Sequence, residues 1–144
     1  MMETPQEREK RQIVNVIKII LILAVVVFVL LAGFFVFKVH SEGRMALREA
    51  KNIKLSLITA DIEMYGMGKS IYDPERHDGL ADGVMARVEA YAGVSEGVTL
   101  LSYDRTTREV HMFTYSTPHY LVSYEYDGTE EYWTVDYKWR IFVY

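Results

Sequence analysis

Ile19–Phe37 reads IILILAVVVFVLLAGFFVF, nineteen residues without a charge. About 20 apolar residues at roughly 1.5 Å each cross the hydrocarbon core of a bilayer. A soluble core helix of this length shows a polar face, and this run has none. Upstream, the mostly apolar IVNVIK adds a further turn, with Lys18 placed to snorkel toward headgroups. The segment 13–39 is therefore expected to be a transmembrane helix with membrane lipid as its first partner. Cleavage as a signal peptide is the rival, since Val39-His40-Ser41 has suitable residues at the right spacing. Signal h-regions reach about 15 residues, so the longer run favours a retained signal anchor.

The flanks divide the chain by charge. Residues 1–40 hold five Lys/Arg and three Asp/Glu, a balance of +2, whereas residues 41–144 hold eleven and seventeen, a balance of −6. Cations stand on both sides of the apolar run, at Arg8, Lys10, Arg11 and Lys18 before it and at Lys38, Arg44 and Arg48 after it. The positive-inside rule alone leaves orientation nearly balanced. The short tail, residues 1–12, has nothing to fold, and residues 41–144 have the composition of a domain. The expected topology is a single pass at the cell membrane, with the N-terminus cytoplasmic and an acidic extracytoplasmic α+β domain.

Within that domain, Leu47, Ala50, Ile53, Leu57, Ala60 and Met64 recur every three or four residues. This predicts a core-facing helix over 41–65, widened by Leu55, Ile58, Ile62 and Tyr65 and kept wet by Arg44, Arg48, Glu49, Lys51 and Lys54. Gly66 and Gly68 stop it. Between Ile13 and Tyr65 there is no Pro, so one helix can serve as both anchor and domain spine. The loop and short helix occupy 66–93. Asp73-Pro74 reads as an N-cap and first helical position, and Leu80, Val84, Val88 and Ala92 as one face of a second helix ending at Gly93.

After Gly97 the period falls to two. Val98–Tyr103, Glu109–Tyr115, His119–Tyr126 and Glu131–Tyr137 are rich in Val, Thr, Tyr, Phe and Trp, and short turns separate them. This predicts a four-stranded antiparallel meander within 98–143, with WRIFVY (139–144) extending the last strand or adding a fifth. Eight of the eleven tyrosines lie at or after Tyr103. They either pack on the helix or form an exposed contact surface. Glu125 decides, because an unpaired acid is expensive to bury. Its face also carries Leu121 and Ser123, so the face with Tyr120, Tyr124 and Tyr126 is expected to cover the helix.

The chemistry-bearing motifs are sparse. The chain has no cysteine, which excludes disulfides, thiol catalysis and Cys-based zinc sites. A formal charge of −4 argues against nucleic acid as a partner. Asp73, Asp78 and Asp82, with Glu75 and His77, form the densest polar cluster. They are weak calcium candidates, since the spacing does not follow the twelve-residue calcium loop. His77, His111 and His119 show no zinc spacing. GMGKS at 66–70 lacks the spacing of a phosphate loop and follows no strand. No nucleophile elbow is present, so no catalytic residue, cofactor or enzymatic activity is expected.

The apolar run Ile19–Phe37, the segment SEGRMALREAKNIKLSLITADIEMYG and the strands from Val98 onward together resemble the type IV pilin and pseudopilin family. The likeness is one of architecture across nearly the whole chain. It implies a subunit whose long helix packs against other pilin-like subunits or copies of itself in an envelope or secretion assembly. Where the family carries a Gly and an aromatic residue at the start of the run, and a Glu just inside it, this chain has Gln12-Ile13-Val14-Asn15-Val16, then Lys18. The alternative reading is an anchored extracytoplasmic binding or sensing domain with no filament role.

Overall fold

A computed structural model describes residues 5–138. The chain is α+β. A long helix α1 (Pro5–Gly66) and a short helix α2 (Val84–Ala92) precede four strands, β1 (Val98–Asp104), β2 (Glu109–Ser116), β3 (Tyr120–Tyr126) and β4 (Glu131–Tyr137). The strands form one antiparallel sheet in the order β1-β2-β3-β4, the expected meander. Two compact units divide at Ser41 and Glu42.

The first unit is helix alone. It begins at Pro5, so residues 5–12, expected to be an unfolded tail, are helical. Proline suits the first helical position, Glu7 complements the positive end of the helix, and QEREKRQ consists of good helix formers. From Ile13 to Phe37 the large apolar side chains are all exposed. Exposure on every side suits lipid and not water. α1 is the one helix among the described residues long and apolar enough to cross a membrane, and it is a candidate anchor.

The second unit has one core. Ala46, Ala50, Ile53, Leu57, Ala60 and Met64 of α1 are buried together with Val98, Leu100, Val110, Phe113, Tyr115, Tyr120, Val122 and Tyr124 of the sheet. Ala at three of the six helix positions lets large sheet side chains approach the backbone. Leu47 is half-buried. Tyr120 and Tyr124 are buried while Glu125 is exposed, so the tyrosine face does cover the helix. The expected widening of the stripe is wrong. Leu55, Ile58, Ile62 and Tyr65 are 63%, 42%, 66% and 67% exposed. Leu55 and Ile62 lie on the side of α1 away from the sheet and Ile58 and Tyr65 on its flank, because a single sheet covers only one side of a helix.

Alternation slips twice in succession in the β1–β2 ladder. Leu100 pairs with Phe113 and Tyr103 with Val110, with irregularities at Ser102 on either side. The extra residues let Val110 and Phe113, three apart, both point inward. WRIFVY lies outside the described residues.

The connection from α1 to β1 departs from expectation in two places. Asp73-Pro74 opens a turn, not a helix: Asp73 Oδ1 accepts from Glu75 N–H and its carbonyl from Arg76 N–H. Leu80 belongs to an isolated bridge with Tyr72, so α2 starts later, at Val84. Gly79 must be glycine. Its φ is +66°, and a Cβ there would stand 1.9 Å from the Leu100 carbonyl oxygen. This close approach places buried Ile71 and Leu80 beside the start of the sheet.

Leu57→Ala should destabilise the folded unit by about 2–5 kcal/mol, the range for buried leucines. Ile62→Ala, on the exposed side, should change stability by no more than about 0.5 kcal/mol. Chemical denaturation of the two variants checks the assignment of faces. Equal losses would contradict it.

Candidate functional site

A buried, hydrogen-bonded polar cluster sits near the C-terminal end of α1. Asp61 is 6% exposed, in the helical turn between buried Leu57 and Met64. Tyr103 of β1 donates its hydroxyl to Asp61 Oδ1 at 2.6 Å. Arg108, from the β1–β2 turn, donates from Nε to Asp61 Oδ2 at 3.1 Å and from Nη2 to the Asp61 carbonyl at 2.6 Å, and also pairs through Nη2 with Oδ2. The guanidinium lies over the Tyr65 ring at 3.8 Å. Arg108 takes φ +61°, a left-handed residue closing the hairpin turn. Asp104 shapes that turn by accepting from Thr106 and Thr107 N–H. Both oxygens of this buried carboxylate are partnered from the sheet side, so the cluster fixes the sheet on the helix.

Beside it lies an open groove of about 260 Å³, lined by Tyr65, Gly68, Lys69, Ser70, Tyr103, Arg105 and Arg108. Three cations line a small groove in a unit that is acidic overall. Asp61 pairs with Arg108, but among the described residues no carboxylate pairs with Lys69 or Arg105. Arg105 donates to the Tyr72 carbonyl at 3.5 Å. A second groove, of about 300 Å³, runs past Lys54, Ile58, Arg108, Val110, Tyr126 and Glu131. There Lys54 pairs with Glu131 and lies over the Tyr124 ring at 4.8 Å.

The third feature is the uncovered face of α1. Arg44, Arg48, Lys51, Leu55, Ile58, Ile62 and Tyr65 are all exposed and follow one another at alternating spacings of four and three. That is the repeat of a helix seam that packs on another helix. Its first half is basic and its second half apolar.

The residues singled out in the sequence fall elsewhere. Arg76 sits between two of the calcium candidates, pairing with Asp82 and standing 3.6 Å from Asp78. Asp78 also accepts from Leu80 N–H, and Asp73 is used in its own turn. Among the described residues no three His, Asp or Glu side chains could hold a metal ion. His111 packs edge-on against Tyr126 and His119 stacks on Tyr137, while His77 lies in the exposed loop. Sequence reading missed Asp61, whose signal was an acid one residue from Ala60 on the core stripe. It also missed the Lys69–Arg105–Arg108 grouping, which only the hairpin's position creates. No protein-family model matches the chain, and no curated protein or solved structure is significantly similar to it.

Burial, and then the Asp61 carboxylate, pushes the Tyr103 hydroxyl up from 10.0 to about 12. Burial beside Glu49, which accepts its proton at 2.9 Å, does the same for Tyr115. Folding thus favours the protonated phenols. The stability they contribute is complete below the ordinary tyrosine value and is lost as pH rises through the folded one. Melting temperature should fall across that alkaline window, and less steeply in Tyr103→Phe. An unchanged slope in the variant would show that the Tyr103 hydroxyl makes no such contact.

Proposed function

We propose that the protein is a single-pass, membrane-anchored, pilin-like structural or accessory subunit of a bacterial envelope or secretion assembly, with its N-terminus cytoplasmic and its α+β unit extracytoplasmic. The observation that carries this reading is the uncovered face of α1. A helix that buries one side under its own sheet and leaves Leu55, Ile58, Ile62 and Tyr65 open has apolar surface to give to a neighbour. The occupant is a second copy of the chain. Copies anchored in one bilayer share an orientation and a high local concentration, which lowers the cost of association. Charge supports a head-to-tail contact. Arg44, Arg48 and Lys51 continue the apolar face, while Glu125, Asp127, Glu130 and Asp136 are exposed on and around the β3 and β4 strands. A basic helix face meeting an acidic edge is a heterologous contact, the kind that builds rings or filaments. The reading assigns no catalysis.

The second reading, an anchored binding or sensing domain with no filament role, is favoured by one separate observation, the cation-lined groove beside Asp61.

The full chain in membranes should resist carbonate extraction and sediment as oligomers after mild detergent. Leu55→Glu combined with Ile62→Glu should convert these to monomers with the melting temperature unchanged, because both side chains are exposed. Wild-type chain that sediments only as monomer would exclude the subunit reading.

A further inference from the structure

We infer that the groove beside Asp61 binds a phosphate ester carried on a polyhydroxy body, such as a sugar phosphate. The groove is lined by Lys69, Arg105 and Arg108, together with Ser70 and two tyrosines, Tyr65 and Tyr103. This site is independent of the uncovered helix face apart from Tyr65.

The donors are available. Arg108 spends Nε and Nη2 on Asp61 and also interacts with the Tyr103 hydroxyl. It is thus held in place at the wall of the groove. Ser70 Oγ accepts from Tyr72 N–H, which leaves its hydroxyl proton to donate. Arg105 makes only the long contact to the Tyr72 carbonyl, and Lys69 pairs with no described carboxylate. Asp104, next to Arg105 in sequence, is occupied by the amides of its own turn, and Glu109, next to Arg108, lines the second groove and not this one. Three cations against the one carboxylate of Asp61 leave two positive charges.

That surplus matches a phosphate monoester, which carries close to two negative charges, better than a carboxylate, which one guanidinium satisfies. Arg presents a planar fork to phosphate oxygens, and Lys a mobile point charge. The tyrosines select the body that carries the phosphate. Tyr65 is stacked by Arg108 on one face and is 67% exposed, so its ring offers area to a flat, partly apolar sugar face. A volume of about 260 Å³ admits one such unit and not a drug-sized ligand.

The test uses the full chain in zwitterionic nanodiscs, titrated calorimetrically with glucose 6-phosphate, with glucose, and with inorganic phosphate. Glucose 6-phosphate should bind, inorganic phosphate should bind more weakly, and glucose should not bind. Lys69→Gln with Arg105→Gln should weaken binding at least tenfold without shifting the melting temperature, since both residues are exposed. Raising the salt concentration should weaken it too. Parallel nanodiscs containing phosphatidylglycerol identify the source. Loss of the sugar-phosphate heat in those discs, together with a short-chain phosphatidylglycerol that gives heat with the wild-type chain in zwitterionic discs but not with the Lys69→Gln/Arg105→Gln chain, would show that a lipid phosphate fills the site, and the soluble-ester proposal would be wrong. Absence of a glucose 6-phosphate response in zwitterionic discs, or a response equal in the double variant, also overturns it. Neither result touches the subunit reading, whose test is sedimentation.

Discussion

Ile53 and Leu57 of α1 share one core with Phe113, Val122 and Tyr124 of the sheet, and the folded unit depends on that burial. A lone four-stranded meander exposes one apolar face, and a lone amphipathic helix exposes one stripe, so each needs the other. The bulkiest residues, the aromatics, come from the sheet, and the helix sets alanines among its larger side chains. Phe113, Tyr124 and Trp133 form a continuous aromatic group, with ring centroids 4.7 to 6.0 Å apart. Ala46, Ala50 and Ala60 make room for such bulk on the helix side. Apolar packing of this kind supplies the energy but is weakly directional, and it would tolerate some sliding of helix on sheet.

Polar contacts remove that freedom. Glu49 accepts from Tyr115, Lys54 pairs with Glu131, and Asp61 takes Tyr103 and Arg108. They are spaced along α1 and engage strands β1, β2 and β4, plus the β1–β2 turn. An axial slip of one residue would break all three together. The exposed pairs contribute little stability individually, whereas a buried carboxylate such as Asp61 is costly unless fully met. Their combined effect is on register. The same logic accounts for Gly79, since the loop's approach to Leu100 closes only without a side chain.

Much of this was legible in the sequence. The change of period from 3.6 to 2 at Gly97 separated helix from sheet, and alternation with Glu125 as the arbiter chose the buried strand face. Three features were not legible, each for a physical reason. Periodicity marks apolar residues on a helix but not how much of its circumference a partner covers, so Leu55 and Ile62 read as core. Helix propensity in QEREKRQ is local and was overlooked because the segment lacks an apolar stripe. Asp61 could not be singled out because its partners are 42 and 47 positions away, and only the bend of the β1–β2 hairpin brings them to it.

The C-terminal end of α1 is where these effects meet. Carbonyls at a helix end carry partial negative charge, which cations nearby offset. Arg108 and Lys69 therefore have a structural reason to be there, and that reason competes with any anion. Two features tip the balance toward a ligand. Helix-end neutralisation needs roughly half a charge, and Asp61 consumes one more, so three cations exceed the requirement. Moreover, Arg108 already serves the helix through the Asp61 carbonyl, and the last carbonyls have partners of their own. Those of Met64 and Tyr65 already accept from the amides of Met67, Gly68 and Lys69. The backbone closes its own end, and Lys69 and Arg105 line the groove with no carboxylate partner among the described residues, Arg105 giving one long hydrogen bond to the Tyr72 carbonyl.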